Sequence, residues 1–136
     1  MPVGPPRRLT DTTALRSATA FSSTESLGVK LMAWILLFIA GLFEIAWAIG
    51  LKYSDGMTRL LPTIFTLIGM VLSFVFLSQA LKTIPVGTGY AVWTGIGAAG
   101  TAILGIMLFS ESTAWPRLIS LAVILVGMVG LKLTSP

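Results

Sequence analysis

One carboxylate, Glu44, stands twelve residues into the stretch Ala33–Leu51, which holds no other formal charge. At the centre of a bilayer-spanning helix an ionisable group costs about 3 kcal/mol. Such groups therefore face a bundle interior or a water-filled cavity and handle protons or cations. Helix positions three and four apart share a face, so Gly41, Trp47 and Ala48 lie one turn either side of Glu44. Small neighbours either admit another helix or leave room for a ligand. The competing reading is a buried structural hydrogen bond for Glu44 and ordinary helix packing for Gly41 and Ala48.

A second concentration of chemistry runs from Gly87 to Gly97, rich in glycine and aromatic residues. Tyr90 and Trp93 are again three apart, and their rings offer cation–π attraction while the phenol and indole offer hydrogen bonds. An interfacial aromatic belt is the alternative, and it suits Tyr90 better than Trp93. Residues 95–100 match G-x-G-x-x-G, but no strand precedes them and no acid follows about twenty residues later, so a dinucleotide site is rejected. Gly95 and Gly97 read instead as positions that loosen or kink a membrane helix. Ser73 is the polar residue nearest the middle of another apolar run, able to hydrogen-bond a carboxylate, a ligand or its own helix. Ser120 and Gly127, seven apart, present a narrow stripe for helix–helix contact. Lys132 near the end of the chain can snorkel or pair with an acid.

The elements that must carry these residues follow from composition. Charged residues make up 10% of the 136 and hydrophobic residues 55%, with a mean hydropathy of +0.93. A soluble chain averages about 25% charged residues. Four apolar runs, at about 33–51, 60–81, 86–109 and 114–132, are each near the ~20 residues that cross ~30 Å of hydrocarbon as a helix. They are apolar all round, which excludes a soluble bundle, and continuous, which excludes alternating barrel strands. The fold expected is an all-α membrane protein of four transmembrane helices. There is no cysteine and no histidine, hence no disulfide, no metal site of those ligands and no ordinary near-neutral proton carrier. No cofactor, metal or enzymatic activity is expected. Nine basic residues scattered among apolar runs form no patch for nucleic acid.

Residues 1–31 are rich in Pro, Arg, Ser and Thr and stand outside the fold as a disordered N-terminal extension. A cytoplasmic tail and a targeting segment compete with the favoured reading, upstream sequence translated from a misplaced start with Met32 as the native first residue. With short loops, Lys52, Arg59 and Arg117 fall on one membrane face and Lys82 and Lys132 on the other. That balance sets no orientation and allows dual topology.

Together, Glu44-Ile45-Ala46-Trp47-Ala48, Leu51-Lys52-Tyr53-Ser54, Thr58-Arg59-Leu60, the run Thr88–Gly97 and Gly130-Leu131-Lys132 resemble the small multidrug resistance family. The likeness is to its SugE-type branch, the guanidinium exporters, and covers Met32 to the end. Gly89 departs from the pattern, where alanine is expected. The resemblance implies a multi-pass protein of the bacterial plasma membrane. It further implies an antiparallel homodimer in which both copies of Glu44 form one site for protons and small organic cations. Also implied are pocket-lining roles for Gly41, Trp47, Ser73, Tyr90 and Trp93, dimer contacts along the fourth helix at Ser120 and Gly127, and a structural charge at Lys132. Two carboxylates sharing a low-dielectric site hold protons that an arriving cation expels, which gives proton-coupled export. Competing readings are export of quaternary ammonium compounds by the same machine, a non-transporting membrane subunit, and a passive channel.

Overall fold

A computed structural model describes residues 12–135 as four helices in succession: α1 Thr12–Tyr53, α2 Leu60–Ala80, α3 Val86–Phe109 and α4 Trp115–Thr134. Each is long and apolar enough to cross a bilayer, and the chain is a multi-pass membrane protein. The ends of α2, α3 and α4 fall within two residues of the expected runs.

The first helix differs. It begins at Thr12, so residues 12–31 are helical where a disordered extension was expected, and residues 1–11 of that extension lie outside the described residues. Two physical reasons account for the difference. Between Thr12 and Leu31 there is no proline and one glycine, Gly28. Extending a helix that already exists is also far cheaper than nucleating one. The hydroxyls along it turn back onto their own helix: Ser23 Oγ donates to Thr19 O at 2.8 Å and Thr24 Oγ1 to Ala20 O at 2.9 Å. With 42 residues, α1 is about 63 Å long, roughly twice the hydrocarbon thickness.

The turn after α1 is tied down by Ser54, which is fully buried. Its Oγ donates to Leu51 O at 2.7 Å and accepts the Met57 N–H at 3.1 Å. Asp55, Gly56 and Met57 all take positive φ there, reversing the chain tightly enough for α2 to lie along α1.

Helix α1 is the centre of the bundle, packing against both α2 and α3, whereas the backbone of α4 comes close only to α3. Close approach comes from small residues. A Cβ on Gly69 of α2 would stand 3.1 Å from the Trp47 Cβ, and one on Gly41 of α1 would stand 2.6 Å from Ile96 Cγ2 of α3. The core gathers Ala33, Leu37 and Ala40 of α1 with Leu77 and Ala80 of α2, Ile84, and Val92 and Trp93 of α3. No residue of α4 is buried. Large apolar side chains cover the outside of every helix, as lipid contact requires.

Candidate functional site

The buried residues of α2, namely Thr66, Gly69, Ser73, Leu77 and Ala80, recur every three or four positions and form one face. That face meets α1 and delivers the Ser73 hydroxyl to the middle of the bundle. Ser73 Oγ donates to Ala40 O at 2.8 Å, so it bonds the neighbouring helix rather than its own. It also lies 3.2 Å from Glu44 Oε2 and accepts the Trp93 indole N–H at 3.0 Å. The Trp47 indole, one turn beyond Glu44 on α1, donates to the same Oε2 at 2.6 Å. Two helices thus meet at one carboxylate oxygen, and the third, α3, reaches it through the Ser73 hydroxyl. Among the described residues, none of these bonds engages Oε1.

Glu44 faces a broadly open cavity of about 460 Å³, bounded also by Ala48, Thr94, Gly97, Thr101 and the Glu111–Arg117 ion pair. Gly97 of α3 backs the carboxylate: a Cβ there would stand 2.5 Å from Glu44 Cγ. The volume suits a small organic cation with some water. The groups around it are an acid, two hydroxyls and an ion pair, a polar lining on an otherwise apolar bundle.

The residues expected from sequence are distributed in two tiers. Glu44 forms the cavity wall. Trp47, Ser73 and Trp93 stand behind it as its hydrogen-bond support, and Trp93 is 4% exposed. Tyr90 lies farther out, 54% exposed, its ring 5.3 Å from that of Trp93. Gly41 is a packing position against Ile96 and not part of the wall. Gly95 and Gly97 do not break α3, which runs unbroken from Val86 to Phe109; they make room, Gly95 for Met128 of α4 and Gly97 for Glu44. Gly89 takes the side chain of Leu81 in the same way. Ser120 and Gly127 lie on the unburied surface of α4, where the Ser120 hydroxyl donates to Pro116 O at 2.8 Å. Among the described residues Lys132 pairs with no acid; its Nζ lies 5.2 Å from the Trp34 ring centre, a cation–π contact. Thr94, Thr101, Glu111 and Arg117 were not singled out from sequence. Their signal was present for the threonines, which follow Tyr90 and Gly97 at four-residue spacing on α3.

Ser73→Ala tests the support. It leaves the buried Trp93 N–H without an acceptor, which costs about 1–2 kcal/mol. Thermal unfolding of the purified protein in detergent should fall accordingly, and an unchanged midpoint would show that the network contributes nothing to the fold.

The family model for the Small Multidrug Resistance protein matches residues 32–124. Proteins named "Guanidinium exporter" from Yersinia pestis and Proteus vulgaris are 61% and 59% identical over 104 residues, covering 76% of this chain and 100% of their own length. The protein of that name from Salmonella typhimurium is 58% identical over 104 residues, covering 76% of this chain and 99% of its own.

Proposed function

This chain belongs to the Small Multidrug Resistance family, and we propose that it is a proton-coupled antiporter exporting guanidinium or small guanidinyl cations across the bacterial plasma membrane. The observation that carries the reading is Glu44: one oxygen is anchored by Trp47 and Ser73, and the carboxylate faces an open cavity. Guanidinium is planar, and its N–H groups form a fork that matches a carboxylate in two parallel bonds. An ionised carboxylate at that depth is costly alone, so Glu44 carries either a proton or a cation. Coupling follows if the empty, charged site does not reorient across the membrane.

The working unit proposed is an antiparallel homodimer with both copies of Glu44 in one site. The lack of any buried residue on α4 supports this, since its small-residue stripe through Ser120 and Gly127 offers a surface for close helix contact. Four helices of this length also leave the cavity open on one side in the single chain. The relatives named guanidinium exporters favour guanidinium as cargo over quaternary ammonium.

Reconstituted vesicles test the reading. An acidic lumen should drive labelled guanidinium inward against its own gradient, and collapsing the pH difference should end the accumulation. Uptake indifferent to the pH difference would replace the antiporter by a channel. Stronger uptake of a tetraalkylammonium would transfer the cargo to the quaternary compounds.

A further inference from the structure

The cavity that holds Glu44 contains a second carboxylate, Glu111, whose position is set by backbone rather than by chance. Ser110 ends α3 in the left-handed conformation with φ 53°, which folds the chain back along the helix. The Glu111 carboxylate then rests on Gly105: a Cβ there would lie 2.8 Å from Oε2 and 3.1 Å from Oε1. Glycine at 105 is therefore what allows the acid to lie against α3.

Gly97 and Gly105 thus seat one carboxylate each, eight residues apart and so about 12 Å along the helix axis. Thr101, four residues from both, lines the cavity between them. The result is a polar track on an otherwise apolar helix, running acid, hydroxyl, acid.

Glu111 is already occupied by a guanidinium, that of Arg117. Arg117 donates one nitrogen to Glu111 Oε2 and the other, Nη1, to Ser112 O at 2.9 Å. It therefore holds Glu111 by a single oxygen, when a carboxylate can take a guanidinium fork by both. A free planar cation can make the two-bond arrangement that Arg117 does not. The pair is partly open to water, at 31% and 38% side-chain exposure, so exchange needs no unfolding.

Resting on the reading of Glu44 as the cargo site, we propose that Glu111 is an outer station for the guanidinium cargo. Arg117 occupies it as a resident stand-in, and the incoming cation displaces Arg117 before passing along Thr101 to Glu44.

The test is initial-rate guanidinium uptake into vesicles as a function of concentration for wild type, Glu111→Gln, Glu111→Asp and Arg117→Gln. Glu111→Gln should raise KM by roughly two- to fivefold, the range of an exposed ion pair, and by more than it lowers the maximal rate. Glu111→Asp should restore most of the loss. Arg117→Gln removes the competitor and should lower KM by a similar factor. A purely structural ion pair predicts the opposite pattern, with both partners' variants impaired in the same direction, and that result overturns the proposal. An Arg117→Gln KM that is unchanged or raised overturns it even if Glu111→Gln fails to fold. Wild-type vesicles that accumulate no guanidinium would overturn the export reading and this one together; normal wild-type uptake with unaltered variants overturns this one alone.

Discussion

Glu44→Gln is expected to reduce gradient-driven guanidinium uptake more than about a hundredfold, to the level of empty vesicles. The substitution is close to isosteric. Its carbonyl oxygen can still accept the Trp47 N–H, and the Ser73 contact can persist, so the fold should survive with little change in unfolding temperature. What disappears is the charge. Two charge-assisted bonds to a planar cation, each about 1.5–3 kcal/mol, are replaced by a neutral amide whose NH₂ group repels the donors of the cargo. The amide also has no proton to exchange. Cation-induced proton release from the purified protein, measured in weakly buffered detergent, should therefore fall to zero alongside transport. Retention of even a tenth of wild-type uptake would remove Glu44 from the centre of the mechanism. Normal uptake with lost proton release would separate binding from coupling and leave only a channel.

That experiment concerns a residue legible from sequence, and the reason is physical. A lone acid in a nineteen-residue apolar stretch has an energetic cost that demands an explanation without any structure. Trp47 was legible with it because i and i+3 positions on one helix must be neighbours. The four spans were legible because lipid imposes length and apolarity together. Two kinds of feature were not. The chain of contacts from Trp93 through Ser73 to Glu44 joins residues from three helices, and helical spacing says nothing about which faces of separate helices meet. From sequence Glu111 is only part of the break between the third and fourth runs, and Arg117 only a charge counted on one membrane face. Their inward direction depends on the left-handed Ser110 and the open surface of Gly105, a backbone geometry that serine does not signal, since such conformations are mostly taken by glycine and asparagine. The helix over residues 12–31 was missed for a related reason. Its serines and threonines are poor helix formers on their own, and the apolar stretch C-terminal to it supplies the nucleus it lacks.

The glycines of α3 provide a sharper test, because the structure divides residues that composition leaves equivalent. Gly95 and Gly97 are two positions apart on the same helix and both are buried. A methyl group at 95 would meet Met128 and Ile124 of α4. Methionine is unbranched and adaptable, and it can swing aside at small cost; Gly95→Ala should therefore keep transport within about threefold of wild type, a loss of under 1 kcal/mol. A methyl group at 97 would stand 2.5 Å from Glu44 Cγ and 3.4 Å from its Cβ. No relaxation at the tip of the side chain relieves a clash with its middle, so Glu44 must change rotamer and leave the oxygen position held by Trp47 and Ser73. A binding group needs to be held within about 0.5 Å of its productive place, and a displacement of about 1 Å can cost a hundredfold. Gly97→Ala should thus lose more than tenfold in guanidinium uptake while the protein remains folded in detergent. Its indole fluorescence should also shift, as Trp47 loses its acceptor. Equal effects at 95 and 97 would mean that α3 needs its glycines for bending as a whole, and that the contact between Gly97 and Glu44 has no part in holding the carboxylate toward the cavity.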